Sequence, residues 1–138
     1  MSAASLALAA ETLEGVPFRL HGRDPVTGLD CIGVLAQSLQ AIGRTSDLPA
    51  AYSVRTRAIP RLAEIVSQCG FVSAKGVPEP GDVLLARIGP MQLHLLIAAT
   101  DGRFVHAHAG LGKVVTGPLP EAWQVAGHWR LAEPSKGS

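Results

Sequence analysis

The sequence predicts an α+β domain in which helices come first and an antiparallel sheet second. Two observations carry this. Residues 31–42 place Ile32, Leu35, Leu39 and Ile42 at helical spacing and stop at Gly43. From residue 80 onward the apolar runs are short, branched or alternating, and Pro and Gly punctuate them. The two patterns are segregated along the chain rather than interleaved, which argues against an alternating α/β order. The 138 residues suit one domain, taken as 1–133, with the polar end "PSKGS" (134–138) as a flexible tail.

The elements follow in order. Residues 3–14 form a helix that ends at Gly15, and Pro17 blocks its continuation. Residues 15–29, with three glycines and two prolines, read as an ordered loop. The helix over 31–42 comes next, then an irregular stretch at 44–60. Leu62, Ile65 and Val66 mark a short helix at 61–69 that stops at Gly70. "PGDVLLARIG" (80–89), "MQLHLLIAAT" (91–100), "RFVHAHAG" (103–110) and "HWRLAE" (128–133) read as strands. "TDGR" (100–103) is a hairpin turn. Gly81-Asp82 starts the first strand through a tight turn, with the Asp82 side chain bonding nearby backbone.

Composition excludes several classes. Twelve basic and eleven acidic residues leave a net charge of +1, which offers no basic face for nucleic acid. Arg55, Arg57 and Arg61 read as a solvated helix face. Cys31 and Cys69 make no disulfide framework and no CxxC pair; Cys69, beside Gly70, reads as buried and inert. The opening "SAASLALAA" lacks a basic flank and reads as helix rather than as a signal peptide, and no stretch is long enough to span a bilayer. The expected site of the protein as synthesised is therefore the cytoplasm.

Cys31 is the first chemical signal. Asp30 caps the following helix, so Cys31 falls on its first turn, where free N–H groups and the positive helix end favour a thiolate. The same N–H groups suit an oxyanion formed when sulfur attacks a carbonyl. The charge of Asp30 opposes the thiolate, and a histidinium partner would offset it. His94, His106 and His108 are the second signal, because imidazoles inside apolar strands need partners or a function. Loop length decides whether they meet. A two-residue turn on Asp101-Gly102 sends His94 and His106 to opposite faces. A three-residue loop, with Gly102 as the bulge, places His94 on one face with His106 diagonally and His108 directly opposite. Geometry alone leaves His106 and His108 as alternatives. Held together, the three histidines would also suit zinc, although that leaves Cys31 unused.

"GVPFRLHGRDPVTGLDCIG" (15–33), "PGDVLLA" (80–86) and "HLLIAATDGRFVHA" (94–107) resemble the NlpC-type bacterial cell-wall peptidases, which are papain-like cysteine hydrolases. The resemblance spans roughly residues 10–110. It implies a papain-like fold with the nucleophile at a helix N-terminus packed on a small antiparallel sheet. It implies Cys31 as nucleophile, His94 as base and His106 as the orienting third residue, with no cofactor and no metal. The implied substrate is the peptidoglycan stem peptide, cleaved next to D-glutamate and diaminopimelate. Phe18, Arg19, Asp30 and His108 complete the candidate oxyanion and substrate-binding residues. Phe18 stands where the family usually has a tyrosine, Ile32 where it has serine, and Leu95-Leu96 where it has Val-Gly. The last two changes resemble short, phage-associated members. That subgroup implies a tail or baseplate partner and delivery to the wall in a phage-like particle.

Two other functions use the same fold: a non-catalytic tail module, suggested by Phe18 and Ile32, and an interbacterial toxin. Arg19 and Arg23 read as solvated, with substrate carboxylates as their alternative partners. His21 reads as loop surface, and His128, beside Trp129, as strand packing or surface.

Overall fold

In the computed structural model the described residues are 3–20, 22–44, 59–89 and 92–132. Three helices, α1 (Ala3–Glu11), α2 (Cys31–Ala41) and α3 (Ile59–Gln68), precede most of the sheet. Between α1 and α2, the loop expected at 15–29 contains two short paired strands, β1 (Arg23–Asp24) and β2 (Gly28–Leu29). Then come β3 (Phe71–Ser73), β4 (Val83–Gly89), β5 (Gln92–Ala98), β6 (Phe104–His108), β7 (Lys113–Gly117) and β8 (Gln124–Leu131). They form one antiparallel sheet in the order β3-β8-β4-β5-β6-β7.

Strand parity divides the core in two. Val83, Leu85, Leu95, Ile97, Val105, Ala107 and Val114 face the helices and close over Leu6, Ile32, Leu35, Leu39, Ile65 and Val66. Leu84, Ala86, Leu96, Ala98 and Phe104 point the other way and are covered by Ile88, Leu119 and Trp123. The central strands are thus buried on both faces, which explains why "VLLA" (83–86) is a continuous apolar run instead of an alternating one. Each fully buried leucine contributes about 1.5–3 kcal/mol by leaving water.

The hairpin between β5 and β6 uses the longer loop. Ile97 pairs with Val105 and Ala98 with Phe104. The Ala99 N–H donates to the Arg103 carbonyl at 2.7 Å. Residues 100–102 form the loop, and Gly102 supplies the positive φ (+85°) that a side chain resists. Glu11 at the end of α1 accepts from the Thr100 N–H (2.8 Å) and hydroxyl (2.9 Å), tying the first helix to this turn.

Two strands carry no clear mark in the sequence. β3 spans three residues, two of them exposed, which is too short for alternation to show. β7 is the sheet's other edge, and the segment 15–18 runs beside it. Gly15 donates to the Val114 carbonyl (2.8 Å), Val114 to Val16 (2.8 Å) and Phe18 to Gly112 (2.9 Å). This segment covers an edge that would otherwise be open to pairing. His21, Arg55, Arg57, the Arg61 side chain and the tail lie outside the described residues.

Candidate active site

The first turn of α2 is clamped from three sides. Asp30 has extended backbone (φ −99°, ψ −171°), and its Oδ1 accepts the Gly33 N–H at 2.8 Å, as an N-cap should. The same Oδ1 meets Arg23 Nη1 at 3.0 Å, so its charge is paired. Arg23 therefore has a structural partner in Asp30. Gln37 in α2 donates to the Arg23 carbonyl at 2.7 Å, fixing the loop to the helix a second time. Gly33 allows the approach, since a Cβ there would lie 2.1 Å from the Gly22 carbonyl oxygen. Cys31 is half-exposed on this turn, against the main core.

The strands bring two imidazoles together. His94 Nε2 and His106 Nδ1 are 3.2 Å apart, with their rings edge to face at 5.2 Å between centroids. His106, diagonal in the register, is the histidine that touches His94. His108 is engaged locally: its Nδ1 accepts the Leu111 N–H at 3.0 Å, and its ring lies 5.8 Å from that of His106. Burial pushes His94 down to about 4, and the His108 charge lowers it further; the Ala107 carbonyl and the Asp30 charge act against this. Burial also pushes His106 down to about 4, with His94 and His108 adding to the effect. Both rings are neutral at pH 7, and each has one donor and one acceptor nitrogen. The effect of Asp30 on His94 ties the start of α2 electrostatically to the histidine pair.

Phe18 is half-buried against the main core, and its ring offers no hydrogen-bond donor. Arg19 is exposed. Cys69 is buried, as its place at a helix end suggests. Among the described residues, no group of three or more His, Cys, Asp or Glu side chains is arranged to hold a metal ion. No described helix is long and apolar enough to cross a membrane.

Two features have no signal in the sequence pattern. Trp123 lies edge to face against both imidazoles, 5.9 Å from His94 and 5.4 Å from His106 between centroids. The other is a buried charge cluster at the start of β4. Asp82 is fully buried and accepts from Arg130 Nε and Nη2 (both 3.0 Å) and from the Glu79 N–H (2.9 Å), while His128 Nε2 lies 2.6 Å from its Oδ2. The backbone bond expected of Asp82 is present, but the ion pairs are additional. His128 is thus a side-chain partner of Asp82 as well as a strand residue, a contact its reading as strand packing or surface does not include.

No protein-family model and no curated protein matches the chain. Solved structures do match its fold. NlpC1 from Trichomonas vaginalis superposes with a TM-score of 0.67 at 18% identity, over 92% of this chain and 44% of that one. The NlpC/p60 domain of the peptidoglycan hydrolase SagA gives 0.63 at 24% identity, over 96% of this chain and all of that one. The P60 domain of the antigen MAP1204 from M. avium subspecies paratuberculosis gives 0.64 at 16% identity, over 94% and 93%. The chain spans less than half of the Trichomonas protein but the full length of the SagA domain. Helices preceding an antiparallel sheet, matched to these domains over more than nine-tenths of the chain, give it the α+β fold of the NlpC/P60 domains.

Proposed function

We propose that the protein is a cysteine peptidase that hydrolyses peptidoglycan stem peptides, with Cys31 as nucleophile, His94 as base and His106 as the residue that orients it. The observation that carries this reading is the 3.2 Å contact from His94 Nε2 to His106 Nδ1, with the capped start of the helix bearing Cys31 near enough for the Asp30 charge to raise the His94 pKa. In this reading Nε2 of His94 faces His106 and Nδ1 is assigned to take the thiol proton. The working tautomer follows: His94 donates its Nε2 proton to His106 Nδ1, and the proton of His106 sits on Nε2.

Sulfur attacks the scissile carbonyl as its proton passes to His94, and the oxyanion meets the free N–H groups of the first turn of α2. Collapse breaks the C–N bond, and His94 returns the proton to the departing amine, leaving a thioester on Cys31. Water then attacks the thioester as His94 takes its proton; the C–S bond breaks, the new carboxylic acid leaves, and His94 returns the proton to the sulfur. A neutral His106 orients the imidazole but supplies no countercharge to the imidazolium; the Asp30 carboxylate, whose charge raises the His94 pKa, supplies part of it. Phe18 adds no donor at the oxyanion, so the helix N–H groups carry that task.

The similarity to the peptidoglycan hydrolase SagA supports the choice of substrate class. The proposed bond joins D-glutamate to diaminopimelate, and the proposed route to the wall is inside a phage-like particle, in association with a tail or baseplate protein. A synthetic L-Ala-D-Glu-diaminopimelate-D-Ala peptide tests the chemistry: product masses should identify the D-Glu–diaminopimelate cut, and Cys31→Ala should abolish it. An intact peptide after prolonged incubation with wild type, or equal cutting by both, would overturn the reading.

A further inference from the structure

We infer that Trp123 is a positioning residue for the histidine pair: it seats both imidazoles and keeps water off their shared hydrogen bond. The inference rests on His94 acting as the base. Trp123 is the one side chain among the described residues recorded in edge-to-face contact with both rings, at interplanar angles of 79° to His94 and 75° to His106. These separations, 5.9 and 5.4 Å, fall within the favourable range for aromatic pairs.

The segment that carries it is built to be stiff. Pro118 and Pro120 restrict the backbone, and the Trp123 N–H donates to the Pro120 carbonyl at 3.1 Å. Leu119 anchors the same segment to the second core cluster beneath the histidines. Trp123 itself is half-buried, with one part on the cluster and another toward solvent.

Water exclusion has a chemical consequence here. Burial is the largest cause of the low proton affinity of both rings. The charged groups felt at the pair are His108 from β6 and Asp30, itself paired with Arg23, at the start of α2. Trp123 carries no charge, so it acts on the pair through solvent exclusion and ring contact. Removing the indole opens a path for water to the hydrogen bond and lets the charged imidazole hydrate.

The test is an NMR titration of the histidine ring signals in wild type, Trp123→Phe, Trp123→Leu and Trp123→Ala, with thermal melts to establish folding and kcat/KM measured across pH. The pair titrates as a unit, so its apparent values are compared rather than assigned to single rings. Trp123→Ala should raise them by at least one pH unit, a tenfold gain in proton affinity, and move the acid limb of kcat/KM upward by the same amount. Trp123→Phe should restore most of the wild-type behaviour, and Trp123→Leu should lie between; these two decide the matter if the alanine variant does not fold. Unchanged titration in folded variants would overturn the inference even where hydrolysis is intact. Shifted titration in a protein whose wild type hydrolyses nothing would sustain the inference and sink the proposed function.

Discussion

Asp82→Asn removes the charge at the centre of the buried cluster while keeping the shape of the side chain. In the native protein burial by itself raises the Asp82 pKa. The Arg130 hydrogen bonds, the Glu79 N–H, His128 and the Arg130 charge more than reverse this and hold it below 3.8. Losing one partner of a buried pair costs about 3–5 kcal/mol, because the remaining charge is stranded. Here the Arg130 side chain is 33% exposed and reaches water once released, so the lower end, about 3 kcal/mol, is expected. For a chain of 138 residues, an unfolding entropy of about 2.1 cal/mol/K per residue converts this to a fall in Tm of about 10 °C. The assay is thermal unfolding of both proteins between pH 3 and pH 8. A carboxyl with a depressed native pKa stabilises fully above its unfolded pKa, about 3.9, and loses that contribution as pH falls through the lowered native value. The Tm gap should therefore be full at pH 7 and close below about pH 4. A gap under about 3 °C at pH 7, or one that widens in acid, would refute this account of the cluster.

Two further outcomes follow from the site. With His94 as the proposed base and its pKa lowered to about 4, kcat/KM should hold through mild acid and fall only as pH drops through about 4; an acid limb centred between 6 and 7 would show the pair to be wetter than its burial indicates. Gly33→Ala would place a methyl 2.1 Å from the Gly22 carbonyl oxygen, so the loop holding Arg23 must move. The expected cost is about 1–3 kcal/mol in urea denaturation together with reduced turnover, and wild-type values for both would contradict the close approach.

Cys31 is legible in the sequence because a helix start is written locally: an Asp cap, apolar residues at helical spacing and a glycine stop all lie within fourteen residues. His94 and His106 are legible as partners only up to the length of one loop. Parity gives the right face for a three-residue loop and the wrong one for a two-residue turn, and Gly102 with its positive φ selects the former. Parity leaves His106 and His108 open and only the family resemblance prefers His106; in the fold the diagonal partner makes the contact while the Leu111 N–H engages the residue opposite.

The Asp82 cluster joins residues 46 and 48 positions apart. His128 and Arg130 share a face of β8 by its two-residue period, yet nothing local indicates a carboxylate waiting there. Trp123 sits in an irregular segment with no period, so its arrival over the histidines comes from tertiary packing alone. β3 and β7 are short edge strands whose pairing is decided by neighbours distant in sequence.

The central claim is that Cys31 cuts peptidoglycan with the help of His94. Mass-spectrometric digestion of purified peptidoglycan by wild type, Cys31→Ala and His94→Ala tests it most directly. The account predicts new stem fragments from wild type and none from either variant that retains its fold. Equal fragment release by wild type and Cys31→Ala would contradict it.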